Sequence, residues 1–215
     1  MMRAHRLQAV ELSALRENEL VPLLNDLDSL DLHQFSYVSI HAPSEFSAAQ
    51  EPTIRDLLKG QLRRGWPIVM HPDTIHDFES WRDFGPLLAI ENMDKRKPIG
   101  RTAQELASIF EKLPDATLCF DIGHARQVDP TMTEAYLILR QFGGRLQQVH
   151  VSEVNTRSKH DVLSYSSILA FQEVADLIPL PVPLILETPL TESQMQIEIE
   201  KVGSALPVEQ NVAVA

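Results

Sequence analysis

The chain is poor in cysteine. A single thiol, Cys119, among 215 residues rules out an intrachain disulfide and fits a reducing compartment, so a cytoplasmic location is expected. Long apolar runs are missing too. No stretch approaches about 20 uninterrupted apolar residues, which excludes a transmembrane helix. The opening Met1-Met2-Arg3-Ala4-His5-Arg6 lacks the apolar core of a secretory signal. Basic residues are in deficit, with 19 Lys+Arg against 30 Asp+Glu, a net charge of −11. That balance weighs against non-specific binding to nucleic acid or to an anionic membrane. Glycine is scarce as well, and the 8 present form neither a phosphate loop nor a dinucleotide fingerprint.

What is present is an ordinary globular composition, 44% hydrophobic and 23% charged. No linker or low-complexity segment interrupts it, so residues 1–215 read as one domain, with the tail from Pro207 expected to be frayed. Seven short apolar runs punctuate the chain: Leu7 to Leu12, Tyr37 to His41, Pro67 to His71, Leu87 to Glu91, Thr117 to Asp121, Leu146 to Val151 and Pro183 to Glu187. Their length and their Val, Ile, Leu and Phe content suit buried parallel strands. Each ends at, or within a residue of, an acidic or histidine anchor: Glu11, His41, His71, Glu91, Asp121, His150 and Glu187. Successive anchors lie 30, 30, 20, 30, 29 and 37 residues apart. A strand, a helix and two turns take roughly 30 residues. The sequence therefore counts out seven strand–helix units.

The intervening segments carry helix signals. Thr102-Ala-Gln-Glu105 is a capping box, followed by Leu106, Ile109, Phe110 and Leu113 on one face. Thr131 to Glu134 and Thr191 to Gln194 repeat the cap pattern, and Gly143-Gly144 marks a helix end. The segment after His71 is too short for a full helix and is expected to be irregular around Trp81. Alternating strands and helices give a parallel α/β sheet. Polar ends on every strand favour a TIM-type (β/α) barrel, whose strand C-termini share one mouth, over an open sheet with one functional crevice. The positions two residues before each anchor share its inward face. They are Ala9, Ser39, Val69, Ala89, Cys119, Gln148 and Ile185, mostly small, with Gln148 an unexplained polar entry.

The anchors are good ligands for a divalent ion, and mixed carboxylate and imidazole donors suit Zn or Mn better than Mg or Ca. His124, three residues after Asp121 across Ile122-Gly123, and His160, in the connection after His150, enlarge the set. Gly123 is expected to let the chain turn so that Asp121 and His124 face one point. His5, His33 and His76 fall away from strand ends and read as surface residues. Glu91 and Glu187, on different strands, are candidate catalytic carboxylates able to bind metal and move a proton. His41 and His71 are either ligands or hydrogen-bonded barrel-mouth histidines. His124 is either a ligand or a substrate contact. Arg126, Arg157 and Lys159 near the mouth are candidate phosphate contacts, and Cys119 reads as a packed core thiol.

These segments resemble the xylose-isomerase-like barrels, a superfamily of sugar isomerases and epimerases that also includes the endonuclease IV type of DNA repair enzyme. The matching stretches are Ile40-His-Ala-Pro43, Met70-His-Pro72, Ile90-Glu-Asn92, Cys119-Phe-Asp-Ile-Gly-His-Ala125, Val149-His-Val-Ser-Glu153, Lys159-His-Asp161 and Leu184-Ile-Leu-Glu-Thr-Pro189, in family order. The resemblance implies that Glu91, Asp121, His150 and Glu187 are the shared metal ligands. It implies that His41, His71, His124 and His160 match the added ligands of the multi-zinc branch, for one to three ions in all. Three departures stand out. The family's first strand has no counterpart. Ser44 stands where the repair enzymes carry a tyrosine. Ser158 stands where they carry an acidic ligand. With the short chain and the negative charge, these departures favour metal-dependent isomerisation or epimerisation of a small sugar or sugar phosphate. The alternative is zinc-dependent phosphoester hydrolysis of the endonuclease IV type.

Overall fold

The computed structural model describes residues 7–206 and the backbone of 212–214. Eight parallel strands form a closed barrel: β1 (Ala9–Ser13), β2 (Tyr37–His41), β3 (Ile68–Met70), β4 (Leu88–Glu91), β5 (Thr117–Asp121), β6 (Leu146–Val151), β9 (Leu184–Leu186) and β10 (Val212–Val214). A small antiparallel pair, β7 (Glu153–Val154) and β8 (His160–Asp161), interrupts the connection after β6. The helices are α1 (Glu17–Asp26), α2 (Glu51–Lys59), α3 (Ala103–Lys112), α4 (Ile122–Val128), α5 (Thr133–Phe142), α6 (Tyr165–Gln172) and α7 (Glu192–Ala205). Among the described residues, no helix is long and apolar enough to cross a membrane.

All seven expected strands form, and an eighth completes the ring. Residues 212–214 pair in parallel with β9 on one side and with β1 on the other, Val10 opposite Val214. This corrects the expectation of a frayed C-terminal tail for those three residues, while 207–211 and 215 lie outside the described residues. Closure satisfies the ladder groups that β1 and β9 would otherwise leave open. It also supplies the strand that the family comparison left without a counterpart.

Period-two alternation sorts the side chains. In β2, Val38 and Ile40 face the helices, while Ser39 and His41 face the barrel axis. The outward set joins one large core with Trp81, Phe120 and Phe171, all fully buried between sheet and helices. Burying such large side chains stabilises the fold by roughly 1.5–3 kcal/mol each. The inward set forms two small clusters, Val69 with Ala89 and Cys119, and Ala9 with Ile185 beside Tyr37. Small residues are what a narrow interior accommodates. Cys119 is a packed thiol there, its ionisation opposed by burial.

The expected irregular stretch after β3 is a pair of 3₁₀ segments, Pro72–Thr74 and Phe78–Leu87. Buried Glu51 holds it in place. Its Oε1 accepts the Trp81 indole N–H at 2.8 Å and the backbone N–H groups of His76 and Asp77 at 2.9 and 3.2 Å. One of the three cap signatures forms in full and one in half, the Glu105 carboxylate accepting the Arg101 N–H instead of that of Thr102. Thr102 accepts the Glu105 N–H, and Thr191 with Gln194 makes a capping box. The third is displaced: α5 begins at Thr133, and Asp129 accepts the N–H groups of Thr131 and Glu134.

Candidate metal centre

The barrel mouth gathers every anchor but Glu11, which lies one layer lower, level with Ser39. Glu91, ending β4, is the hub. Its Oε2 lies 3.2 Å from Nε2 of His41 and 3.2 Å from Nε2 of His71. Its Oε1 lies 3.1 Å from Nδ1 of His124 and 3.7 Å from Nδ1 of His150. One carboxylate thus turns each oxygen to a different pair of imidazoles. Glu187, just past β9, reaches His150 Nδ1 at 3.1 Å and His160 Nδ1 at 3.6 Å. Asp121 meets His124 at 3.3 Å. Candidate ligand atoms within 4.8 Å of one another fall into overlapping groups: His41, His71 and Glu91; Glu91, Asp121, His150 and Glu187; Asp121, His124 and His160; and Glu11, His41, His150 and Glu187.

Local structure fixes these directions. Asn92 clamps the strand ends, donating to the Asp121 carbonyl and accepting the Asp121 N–H, both at 2.8 Å. Asp121 then caps α4 through the His124 N–H at 2.6 Å, which brings both side chains to one point. Gly123 belongs here for space. Its backbone is helical, and a Cβ would lie 2.4 Å from the Ser152 carbonyl oxygen. The expected role of Gly123 as a turn residue is corrected to one of close approach between α4 and the end of β6.

Charge and satisfaction both fit a bound cation. Four carboxylates, of Glu11, Glu91, Asp121 and Glu187, meet in one buried volume. Asp121 Oδ2, His150 Nδ1 and Glu187 Oε2 are buried without a hydrogen-bond partner. Burial raises the Asp121 carboxyl well above its usual range. Burial also opposes charge on His124, yet Asp121 and Glu91 outweigh it and hold that imidazole at about 10. His41 is held at about 9 in the same way, against burial, by Glu91 and Glu11. Burial likewise acts against the ionised Glu91, but the surrounding histidines keep its carboxyl well below the usual value. His71 and His160 are pushed down, mainly by burial. Burial opposes charge on His150 as well, yet Cys119, Glu187 and Glu11 outweigh it and hold that imidazole well above its usual value. Protons on three imidazoles thus supply the positive charge that the carboxylates require.

A cavity of about 410 Å³ opens above the cluster, bordered by His71, Glu91, His124, His160 and Glu187. Its basic residues are Arg96 and Lys97, from the connection between β4 and α3. Neither is unpaired: Arg96 bonds Asp94, and Lys97 bonds Asp73 at 2.9 Å. The expected phosphate contacts are corrected. Arg126 turns to Ser166, Ser167 and Glu153, because α4 packs beside the start of α6. Arg157 and Lys159 sit exposed on the turn joining β7 to β8 and do not line the cavity. The basic run Lys95-Arg96-Lys97, so close after the Glu91 anchor, was the signal that could have found the mouth cations. Ser158 borders the cavity but brings no ligand atom to the cluster. Its Oγ bonds Gln127, leaving the Asp121, His124 and His160 group with three donors. His33 and His76 are exposed as expected, while His5 lies outside the described residues.

No protein-family model matches the chain, and no curated protein matches it. Solved structures do. The copper homeostasis protein CutC of Streptococcus agalactiae is 11% identical, with 97% of this chain and 98% of that chain covered and a TM-score of 0.53. Thiamine phosphate pyrophosphorylase of Pyrococcus furiosus is 9% identical over 98% and 86% of the two chains, with a TM-score of 0.51. Endonuclease IV of Thermus thermophilus is 17% identical over 93% and 100%, with a TM-score of 0.47. At such identities the likeness identifies the TIM-type barrel and nothing finer.

Proposed function

We propose that the chain is a multi-metal phosphoester hydrolase acting on small phosphorylated molecules. The observation that carries this reading is the split role of Glu91, whose two oxygens each face two imidazoles. A carboxylate so placed can bridge two ions. A single-metal isomerase needs Glu91, Asp121, His150 and Glu187, and has no use for His41 and His71 at the same carboxylate. This geometry supports ranking the hydrolase ahead of the isomerase expected first from the sequence.

In this reading His41, His71 and Glu91 would hold one ion, and Glu91, Asp121, His150 and Glu187 a second. Asp121, His124 and His160 would hold a third more weakly. Neighbouring divalent ions neutralise phosphate charge and acidify water. The chain's own part is to fix the donors. Asn92 holds Asp121, Asp121 caps the helix that carries His124, and the barrel wall excludes bulk water from Glu91. Glu187 borders the cavity and is the carboxylate best exposed to an incoming substrate. The motifs shared with the endonuclease IV branch support the same chemistry. The net charge of −11 and the neutralised mouth cations favour a small phosphoester over a polynucleotide.

One observation favours the isomerase instead: Glu91 and Glu187 both border the cavity, as a proton-shuttling pair would. Element analysis and turnover of bis(4-nitrophenyl) phosphate separate the two. The hydrolase reading expects at least two zinc or manganese ions per chain and chelator-sensitive release of nitrophenol. One ion per chain, no hydrolysis and aldose–ketose interconversion would reverse it.

A further inference from the structure

Below the metal centre, a second layer of polar side chains lies inside the barrel. Glu11, on β1, is 2% exposed. Among the described residues it has no lysine or arginine partner. Its Oε2 accepts the Ser39 hydroxyl at 2.9 Å and the Gln148 amide at 2.6 Å. Nε2 of His150 lies within hydrogen-bond distance of the same Oε2, at 3.3 Å, and 3.1 Å from Oε1. The Gln148 carbonyl is occupied in turn by the Tyr37 hydroxyl at 2.7 Å. The Glu11 contact settles the orientation of the amide, since the reverse flip would set a carbonyl oxygen against that carboxylate. Gln148, unexplained as a polar residue in the sequence, thus aligns a buried acid.

The consequence falls on His150. Its two ring nitrogens face opposite layers, Nε2 down to Glu11 and Nδ1 up to Glu187 and Glu91. Ser39 and Gln148 are neutral donors, so the N–H that best balances the Glu11 charge is the one on His150. We infer that Glu11 is a positioning residue: it holds the Nε2 proton of His150 and thereby turns the Nδ1 lone pair toward the metal centre. This rests on the multi-metal reading and extends it to four residues, Tyr37, Ser39, Gln148 and Glu11, that touch no substrate. A competing proton arrangement exists: Gln148 Nε2 lies 2.8 Å from His150 Nε2, a contact in which the imidazole would accept rather than donate. Its proton would then sit on Nδ1, and Glu11 would lose that N–H donor, with His41 of the same cluster its remaining neighbouring imidazole.

Nitrogen-15 NMR of the histidine side chains distinguishes the two arrangements in the intact chain, metal-free and zinc-loaded. The inference expects a slowly exchanging Nε2–H signal from His150 in the wild type, lost in Glu11→Gln. Zinc titration of the same two proteins reads the outcome. Orienting partners of metal-bound histidines are typically worth about 10–100-fold in affinity, so Glu11→Gln should bind zinc that much more weakly. Tyr37→Phe frees the Gln148 carbonyl while keeping the ring, and should cost less than Glu11→Gln. It supplies the comparison if the latter misfolds. A proton found on Nδ1 in the zinc-loaded wild type overturns the inference. So does equal zinc affinity in wild type and Glu11→Gln. A wild type that binds no zinc refutes the multi-metal reading itself.

Discussion

The rings of His41 and His71 meet edge to face, with centroids 5.1 Å apart, because both reach the same oxygen of Glu91. They arrive from adjacent strand ends, so the contact follows from the barrel's register. Two imidazole nitrogens converge on one buried carboxylate oxygen, and once His41 gives up its proton a shared cation serves all three better than they serve each other.

The pair gives the most direct test. Replacing His71 by Gln keeps a polar side chain but removes a nitrogen donor. We expect it to lose one bound metal, measured by element analysis, with phosphodiesterase activity falling by about 10²-fold or more. Glu91→Gln should be worse, losing both principal ions together. A His71→Gln protein with full metal content and near-normal turnover would contradict the bridging role of Glu91.

Metal binding should release protons. His41 and His124, held at about 9 and 10 in the metal-free protein, are charged at neutral pH and must deprotonate to coordinate. Zinc affinity should therefore rise with pH, and calorimetry in buffers of different ionisation enthalpy should detect proton release. The sign for stability is the reverse. Both imidazoles lie above their unfolded value of about 6.5, so their contribution to the metal-free fold is complete below that pH. It is lost as pH rises through 9 to 10. Denaturation of chelator-treated protein at pH 7 and pH 10 checks this, with lower stability expected at pH 10.

Gly123→Ala should be disproportionately damaging for a surface-sized change. The added carbon would meet the Ser152 carbonyl at 2.4 Å and Val154 Cγ2 at 2.9 Å. Overpacking of this kind costs roughly 1–3 kcal/mol, and about 2–4 °C of Tm per kcal/mol for a chain of this size. Because α4 also carries His124, metal affinity should fall with stability. An unchanged Tm would mean the α4–β6 approach is looser than described.

Duplex DNA should not be a substrate. At physiological salt, abasic duplex is expected to bind no tighter than about 10⁻⁶ M, the non-specific range, and to remain uncleaved while small phosphodiesters turn over. Chelator-sensitive cleavage of abasic duplex at nanomolar protein would overturn the substrate class.

Much of this molecule was legible because its function sits at strand ends. Each anchor ends an apolar run, and the period of about thirty residues makes a barrel from the runs. Seven strands and the convergence of His41, His71, Glu91, Asp121, His150 and Glu187 follow from that alone. The eighth strand was missed because Val212-Ala-Val214 is short and has no polar anchor, though it lies close to one period beyond β9. Arg126 was misjudged for a different reason. Its nearness to Asp121 in sequence suggested the mouth, but the helix that starts at Ile122 turns it toward α6. Gln148 is a third kind of failure. Its value depends on Tyr37 and Glu11, which are distant in sequence and meet only once the barrel is closed.

The pairing of Val10 with Val214 joins residues from nearly opposite ends of the chain. Contacts of such separation form late and slow folding. During synthesis, β1 emerges long before the neighbour that pairs with it across the closing seam. Until then β1 and β9 present open edges, the surfaces on which nascent chains aggregate. The half-made barrel is thus the most vulnerable form of this protein. The ring can be sealed only after residues 212–214 have emerged from the ribosome.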